Sequence, residues 1–205
     1  MSKPNKKIPI KHPSQQRSVM TFEAIVEAAT YLLVKQGLPN VTSNQIADKA
    51  GVNINSFYQY FFDKQAVFSL IAERHIADNE KAFALALEAH QSLATDRAFQ
   101  AVICDMVELF GTVAVFRRQI LLAMPLLVGP MRQMEVREGL AKQLMPVIPS
   151  IRYHSRAEKK RAAHLLVHTF MATVPVILDP LYADGEKKRL QEELKVMLFR
   201  YVGLE

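Results

Sequence analysis

The chain has 205 residues, half of them hydrophobic and 22% charged, so it can build a core and is not globally disordered. Its formal net charge of +6 leans toward polyanionic partners. The single cysteine, Cys104, excludes an internal disulfide framework and a multi-cysteine zinc site.

The stretch Met1 to Arg17 carries five cations and no acid. No apolar segment follows it, so a disordered basic arm is expected over residues 1–16, and no secretory leader. Such an arm serves either as a solubilising tail or as a contact to phosphates. As far as Lys64 there are eight basic residues against four acids, which puts the basic excess at the N-terminal end. Apolar runs are broken by charge or proline before they could span a bilayer, so no membrane partner and a cytoplasmic location are expected.

Helical patterns follow one another, and no sustained alternation marks a strand. Phe22, Ile25, Val26, Ala29 and Leu33 share one helical face, and Gly37 stands where a helix stops, giving a helix over Ser18 to Gln36. Thr42-Ser43-Asn44-Gln45 is a capping box opening a short helix to Ala50. Asn53 caps a second short helix, Ile54 to Tyr60. Asp63 caps a long one, from Lys64 toward Ala89. Further helices are predicted over Asp96 to Val115, Phe116 to Met124 with a stop at Pro125, and Pro130 to Met145. A second capping box, Ser155 to Glu158, opens a helix to Leu178 that can bend at Pro175, and Asp184 caps the last helix, to Tyr201.

The informative window is Thr42 to Phe61. Two short helices around a glycine make a helix-turn-helix. Ala47 is small where the helices approach, Gly51 can take a positive φ, and Ile46, Ala50, Val52 and Phe57 are apolar where they must be buried. Such shapes also occur as plain packing units, but this many constraints met in one window favour nucleic-acid recognition. The second helix then reads base edges through its N-terminal residues. Asn53, Asn55, Ser56 and Gln59 can hydrogen-bond bases or phosphates, and Ile54 can touch a thymine methyl. Tyr58 and Tyr60 offer hydroxyls to phosphates, as do Thr42 and Ser43 at a helix start, and Lys64 offers its charge. Phe57 and Phe61 are expected in the core.

From Arg17 to about Ile76 the chain resembles the DNA-binding domain of TetR-type (TetR/AcrR) transcriptional regulators. Ile25, Ala28-Ala29, Gly37, Thr42, Ile46-Ala47 and the run AGVNINSFYQYFFDK to Lys64 carry the likeness. Asn55 departs from it, standing where the family often has glycine or another small residue, so no operator sequence can be carried over. The resemblance implies an all-α homodimer: a three-helix head, a long fourth helix, and a larger helical domain whose small-molecule ligand alters the spacing of the two heads. It implies a regulator, most often a repressor, on a palindromic operator. The expected domains are the arm 1–16, the head 17–63 and a ligand-binding and dimerisation domain 64–205. Activation rather than repression, or a helical sensor or enzyme with a vestigial head, are the alternatives.

The C-terminal helices fit that plan. Leu166, Phe170, Thr173, Val174 and Ile177 make one stripe, and Leu190, Leu194, Met197, Leu198 and Tyr201 repeat its spacing. The two stripes can pair with their copies in a four-helix dimer interface or close the monomer's own core; the dimer is the favoured expectation. Met106, Phe110, Phe116, Met124, Met131 and Met171, with His168, are candidates for a soft apolar pocket, an apolar effector being the weaker inference. Taken singly, each fits a plain core better than a pocket.

No enzyme is expected. His164 and His168 have the spacing of a shared metal site, but Leu165 replaces the glutamate of HExxH and no third ligand lies nearby, so neither metal nor cofactor is assigned. Phosphate-loop, dinucleotide and nucleophile-elbow motifs are missing.

Overall fold

The computed structural model describes residues 14–111, 114–179 and 181–204. Most of the expected basic arm, residues 1–13, lies outside them. The described chain is helical without strands: α1 Gln16–Gln36, α2 Ser43–Lys49, α3 Ile54–Tyr60, α4 Lys64–Ala89, α5 Thr95–Gly111, α6 Ala114–Leu127, α7 Pro130–Leu144, α8 Arg156–Ile177 and α9 Asp184–Tyr201. They belong to two compact units. One takes in the chain as far as His75 together with Leu122–Val128; the other takes in Ile76–Leu121 and Gly129 onward.

In the first unit α1 buries Phe22, Ile25, Ala29 and Leu33, the face its periodicity specifies. Gly37 ends it with φ 73°, a conformation a side chain would resist, and its N–H reaches Leu33 O at 3.0 Å. Ile46, Phe57, Phe61, Val67 and Phe68 complete this core. Each large side chain so enclosed stabilises by about 1.5–3 kcal/mol. The Ser69 hydroxyl, itself buried, donates to Leu127 O at 2.9 Å and holds the 122–128 segment in this unit.

The second unit closes around Phe99, Val102, Met106 and Val107 of α5, Leu144 of α7, Leu166 and Val167 of α8, and Leu194 and Leu198 of α9. α8 starts as its sequence requires: Ser155 accepts from Glu158 N, and the Glu158 carboxylate takes the N–H of Ser155 at 2.8 Å. The end of α9 is tied down where Tyr153 Oη and Arg152 Nη1 both donate to Tyr201 O, at 3.2 and 3.1 Å. Burial and the neighbouring Tyr201 push the Tyr153 hydroxyl up to about 12, so it stays a neutral donor.

Several expected boundaries differ: α1 begins at Gln16 rather than Ser18, and Val115, expected at the end of α5, lies in α6, which begins at Ala114 rather than Phe116. α6 does not stop at Pro125 but runs through it to Leu127. A proline in the last turn removes one hydrogen bond and can be absorbed there. Asp184 is not the cap of α9: Ala183 occupies that position without a side-chain bond, and Asp184 pairs with Lys187 inside the first turn, where an acid still suits the helix dipole.

Candidate nucleic-acid interface

The capping box at Thr42 forms in full. Gln45 N donates to Thr42 Oγ1 at 3.2 Å, and Thr42 N donates to Gln45 Oε1 at 2.8 Å. Gln36, at the end of α1, donates to the same Gln45 oxygen at 3.2 Å and exchanges bonds with Asn40, so the start of α2 is anchored to the end of α1. The turn to α3 closes through Ala50 N to Ile46 O, Gly51 N to Asp48 O and Val52 N to Ala47 O, at 2.9, 3.1 and 3.0 Å. Gly51 has φ 67° with open space where a Cβ would sit, so glycine is needed for backbone conformation and not for room.

Asn53 caps α3 by accepting from Asn55 N at 2.8 Å, which occupies its carbonyl oxygen and leaves its NH₂. Behind α3 lies an aromatic block. Phe22 stacks on Phe61 with centroids 5.0 Å apart and meets Tyr60 edge-on at 5.9 Å, while Phe57 packs against Phe61. Seated on that block, α3 turns Asn55, Tyr58 and Gln59 outward, one helical face, with Asn53 exposed at its start. Ile54, Ser56 and Ser43 are half-buried, and Thr42 is exposed. From Ile54 to Tyr60 no residue carries a charge.

Two residues expected to meet phosphates point elsewhere. Tyr60 is only 7% exposed because it lies one turn from Phe57 on the core side, whereas Tyr58 is 49% exposed. Lys64 turns its ammonium onto the backbone, donating to Leu38 O at 3.3 Å, Pro39 O at 3.5 Å and Val41 O at 2.5 Å. Those bonds fix the turn before α2, a positioning task that no local pattern announces. The Thr42 hydroxyl is likewise engaged with Gln45. Sequence reasoning also missed the clamp between Arg74 on α4 and Glu23 on α1, whose partners stand 51 residues apart.

In the second unit the candidate effector residues have differing surroundings, though Met106 and Met171 belong to one apolar cluster. Met106 is packed into the core, and Met131 is exposed. Phe116 and Met171 are half-buried. Met124 belongs to the 122–128 segment of the other unit. His168 is exposed, its Nδ1 2.8 Å from His164 O, while His164 Nε2 faces Glu138 at 3.3 Å, so the two imidazoles are engaged separately. Phe110 and Phe170 do meet, edge to face at 5.3 Å, beside a narrow apolar crevice also lined by Val107, Val174, Ile177 and Leu194.

The stripes expected at a dimer interface are largely the chain's own core. Leu166, Val174, Leu194 and Leu198 are each 2% exposed, and Ile177 is buried with them. Phe170, Thr173, Leu190 and Tyr201 are half-buried, and of the ten only Met197, at 47%, is exposed. The outward face of these helices carries Ala172, Val176, Val196 and Met197 instead.

Residues 25–71 match the model of the bacterial regulatory proteins, tetR family. An uncharacterised HTH-type transcriptional regulator, TtgW, of Pseudomonas putida is 33% identical over 89 residues, a stretch covering 43% of this chain and 61% of that relative. A TetR-family transcriptional regulator from Streptomyces coelicolor superposes with a TM-score of 0.63 at 20% identity, over 91% of this chain and 98% of that one. FadR of Thermus thermophilus, a TetR-family transcriptional repressor solved with lauroyl-CoA, does so with 0.54 at 17%, over 85% and 92%. The chain thus carries the N-terminal domain of the tetR family over residues 25–71 and shares the all-helical fold of TetR-family structures along most of its length.

Proposed function

We propose that the chain is a DNA-binding transcriptional regulator, a repressor that holds a palindromic operator as a homodimer and leaves it when a small molecule binds. The observation that carries this reading is α3, rigidly backed by Phe22, Phe57, Tyr60 and Phe61, with Asn55, Tyr58 and Gln59 presented outward. Amide side chains on such a helix suit adenine edges in the major groove, and the Tyr58 hydroxyl suits a phosphate. Two copies related by a two-fold axis would read half-sites about 34–36 Å apart or a multiple of it. The outward apolar residues Ala172, Val176, Val196 and Met197 are the natural contact between copies.

The effector belongs to the second unit. The apolar lining around the Phe110–Phe170 pair favours an apolar or amphipathic molecule, which would have to part these side chains to enter, since the crevice is closed as it stands. That ligand must bind the released state more tightly than the DNA-bound state, since equal affinity shifts nothing. The cytoplasm, where the DNA is, is the place of action.

Selection of genomic fragments on the purified chain, repeated across salt concentrations, tests the reading. A recovered palindrome whose affinity falls steeply with salt is the expected result. A folded dimer that enriches no sequence, with and without added extracts of small molecules, would count against it.

A further inference from the structure

A second concentration of positive charge lies in the other unit, far along the chain from α3. Between Gly139 and Leu178 there are six lysines and arginines and one acid, Glu158. The cations gather where α7 ends and α8 begins: Lys142, Arg152, Arg156, Lys159, Lys160 and Arg161. All but the half-buried Lys159 are exposed. Glu158 is committed to its own helix start, accepting from His154 N, Ser155 N and Ser155 Oγ at 3.1, 2.8 and 2.9 Å. Glu138 is shared among Lys142, Lys160 and His164 at 3.6, 3.8 and 3.3 Å. Among the described residues no carboxylate reaches ion-pair distance of Arg156, Lys159 or Arg161.

This arrangement works against the fold. Arg156 stands three and four residues before Lys159 and Lys160, spacings at which like charges repel on a helix. A solvated face usually interleaves its signs, and the last helix does so, with Lys187 on Asp184 and Lys195 on Glu192. One cation of this face is held in place. Arg152 lies against the rings of Tyr153 and Tyr201, 5.7 Å from each centroid, and is tied to Tyr201 O. Beside it Ile151 is 60% exposed.

We propose that this face, the turn before α8 and the first two turns of α8, docks an acidic amphipathic segment of a partner protein. Charge complementarity selects an anionic partner. A held arginine backed by tyrosines next to an exposed isoleucine is the composition of protein interfaces. A phosphate backbone offers nothing to cover Ile151, and the salt-tracking groove of nucleic-acid binders stacks bases on open aromatic rings, whereas Tyr153 and Tyr201 already carry Arg152. The inference does not rest on operator recognition.

The full chain is titrated, by fluorescence anisotropy, with a labelled helical peptide bearing glutamates on one face and leucines on the other. Polyglutamate of equal length, random-sequence duplex DNA and phosphatidylserine vesicles are the comparisons. The amphipathic peptide should bind more tightly than polyglutamate. The R156E/K159E double variant should weaken it by about tenfold or more. That variant should melt no lower than wild type, since acids suit the first turn of a helix, and its duplex affinity should be unchanged. Ile151→Ser should erase the advantage over polyglutamate. Peptide binding indifferent to R156E/K159E, or equal binding of polyglutamate with a silent Ile151→Ser, overturns the proposal. Vesicle or duplex binding lost in the double variant, in place of peptide binding, overturns it in favour of a membrane surface or a nucleic acid.

Discussion

Arg74 holds Glu23 through two parallel hydrogen bonds, Nη1 to Oε2 and Nη2 to Oε1, each 2.7 Å, and so pins α4 to α1. The hydrogen bond from Arg74 keeps the Glu23 carboxyl below its ordinary range. A carboxylate with a depressed folded pKa adds stability above its unfolded value, about 4.3, and loses it as pH falls through the folded value. Glu23→Gln should therefore lower stability at neutral pH and make no difference in acid below both values. Both partners are nearly half exposed, which limits the expected loss to about 0.5–1 kcal/mol. Urea melts at stepped pH check this; a deficit persisting into strong acid would deny the pair its role.

Lys64 gives a sharper test, because two roles for it separate. Its ammonium bonds three carbonyls of the turn before α2. Lys64→Ala strips a charged donor from them and should cost about 1–3 kcal/mol of stability. Operator affinity should fall with it, while the slope of log affinity against log salt stays unchanged. A slope reduced by about one, without loss of stability, would instead make Lys64 a phosphate contact.

Tyr58 and Gln59 sit side by side on the exposed face of α3 and should fail differently. Gln59→Ala should change the preferred base at one operator position, a discrimination worth about 1–3 kcal/mol. Tyr58→Phe should weaken all duplexes alike. Competition among single-base operator variants distinguishes the two, and a Gln59→Ala variant with wild-type preferences would remove Gln59 from the reading face.

Leu194 and Met197 lie three residues apart on α9 with opposite surroundings. Leu194→Ala opens a cavity in the chain's own core and should cost about 2–5 kcal/mol. Met197→Glu should leave the melt nearly unchanged and shift the dimer toward monomer on sedimentation. A Met197→Glu chain that stays dimeric at low concentration would place the contact between copies elsewhere.

How much of this was legible follows from what kind of signal each residue gives. Thr42 with Gln45, Gly51, Asn53 and Asp63 act on their immediate neighbours, so spacing alone located the motif. Tyr58 and Tyr60 carry the same chemistry, and only the side of α3 on which Phe57 falls tells them apart. Lys64 and Arg74 find partners 23 to 51 residues away, beyond any local pattern. The stripes of α8 and α9 show why a pattern of burial is incomplete: periodicity states that Leu166 and Leu194 are covered but not by which chain. Pro125 does not end α6, since a proline in the last turn of a helix removes a bond the helix can spare.

The neutrality of α3 has a bearing on how such a protein would find one site in a genome. Attraction to arbitrary duplex is almost wholly ionic and fades as counterions accumulate. Hydrogen bonds from Asn55 and Gln59 to base edges release no counterions when they form. Raising ionic strength would thus drain the competing sites faster than it blurs the choice among bases. Occupancy would fall while the ratio of correct to incorrect occupancy is preserved or improves.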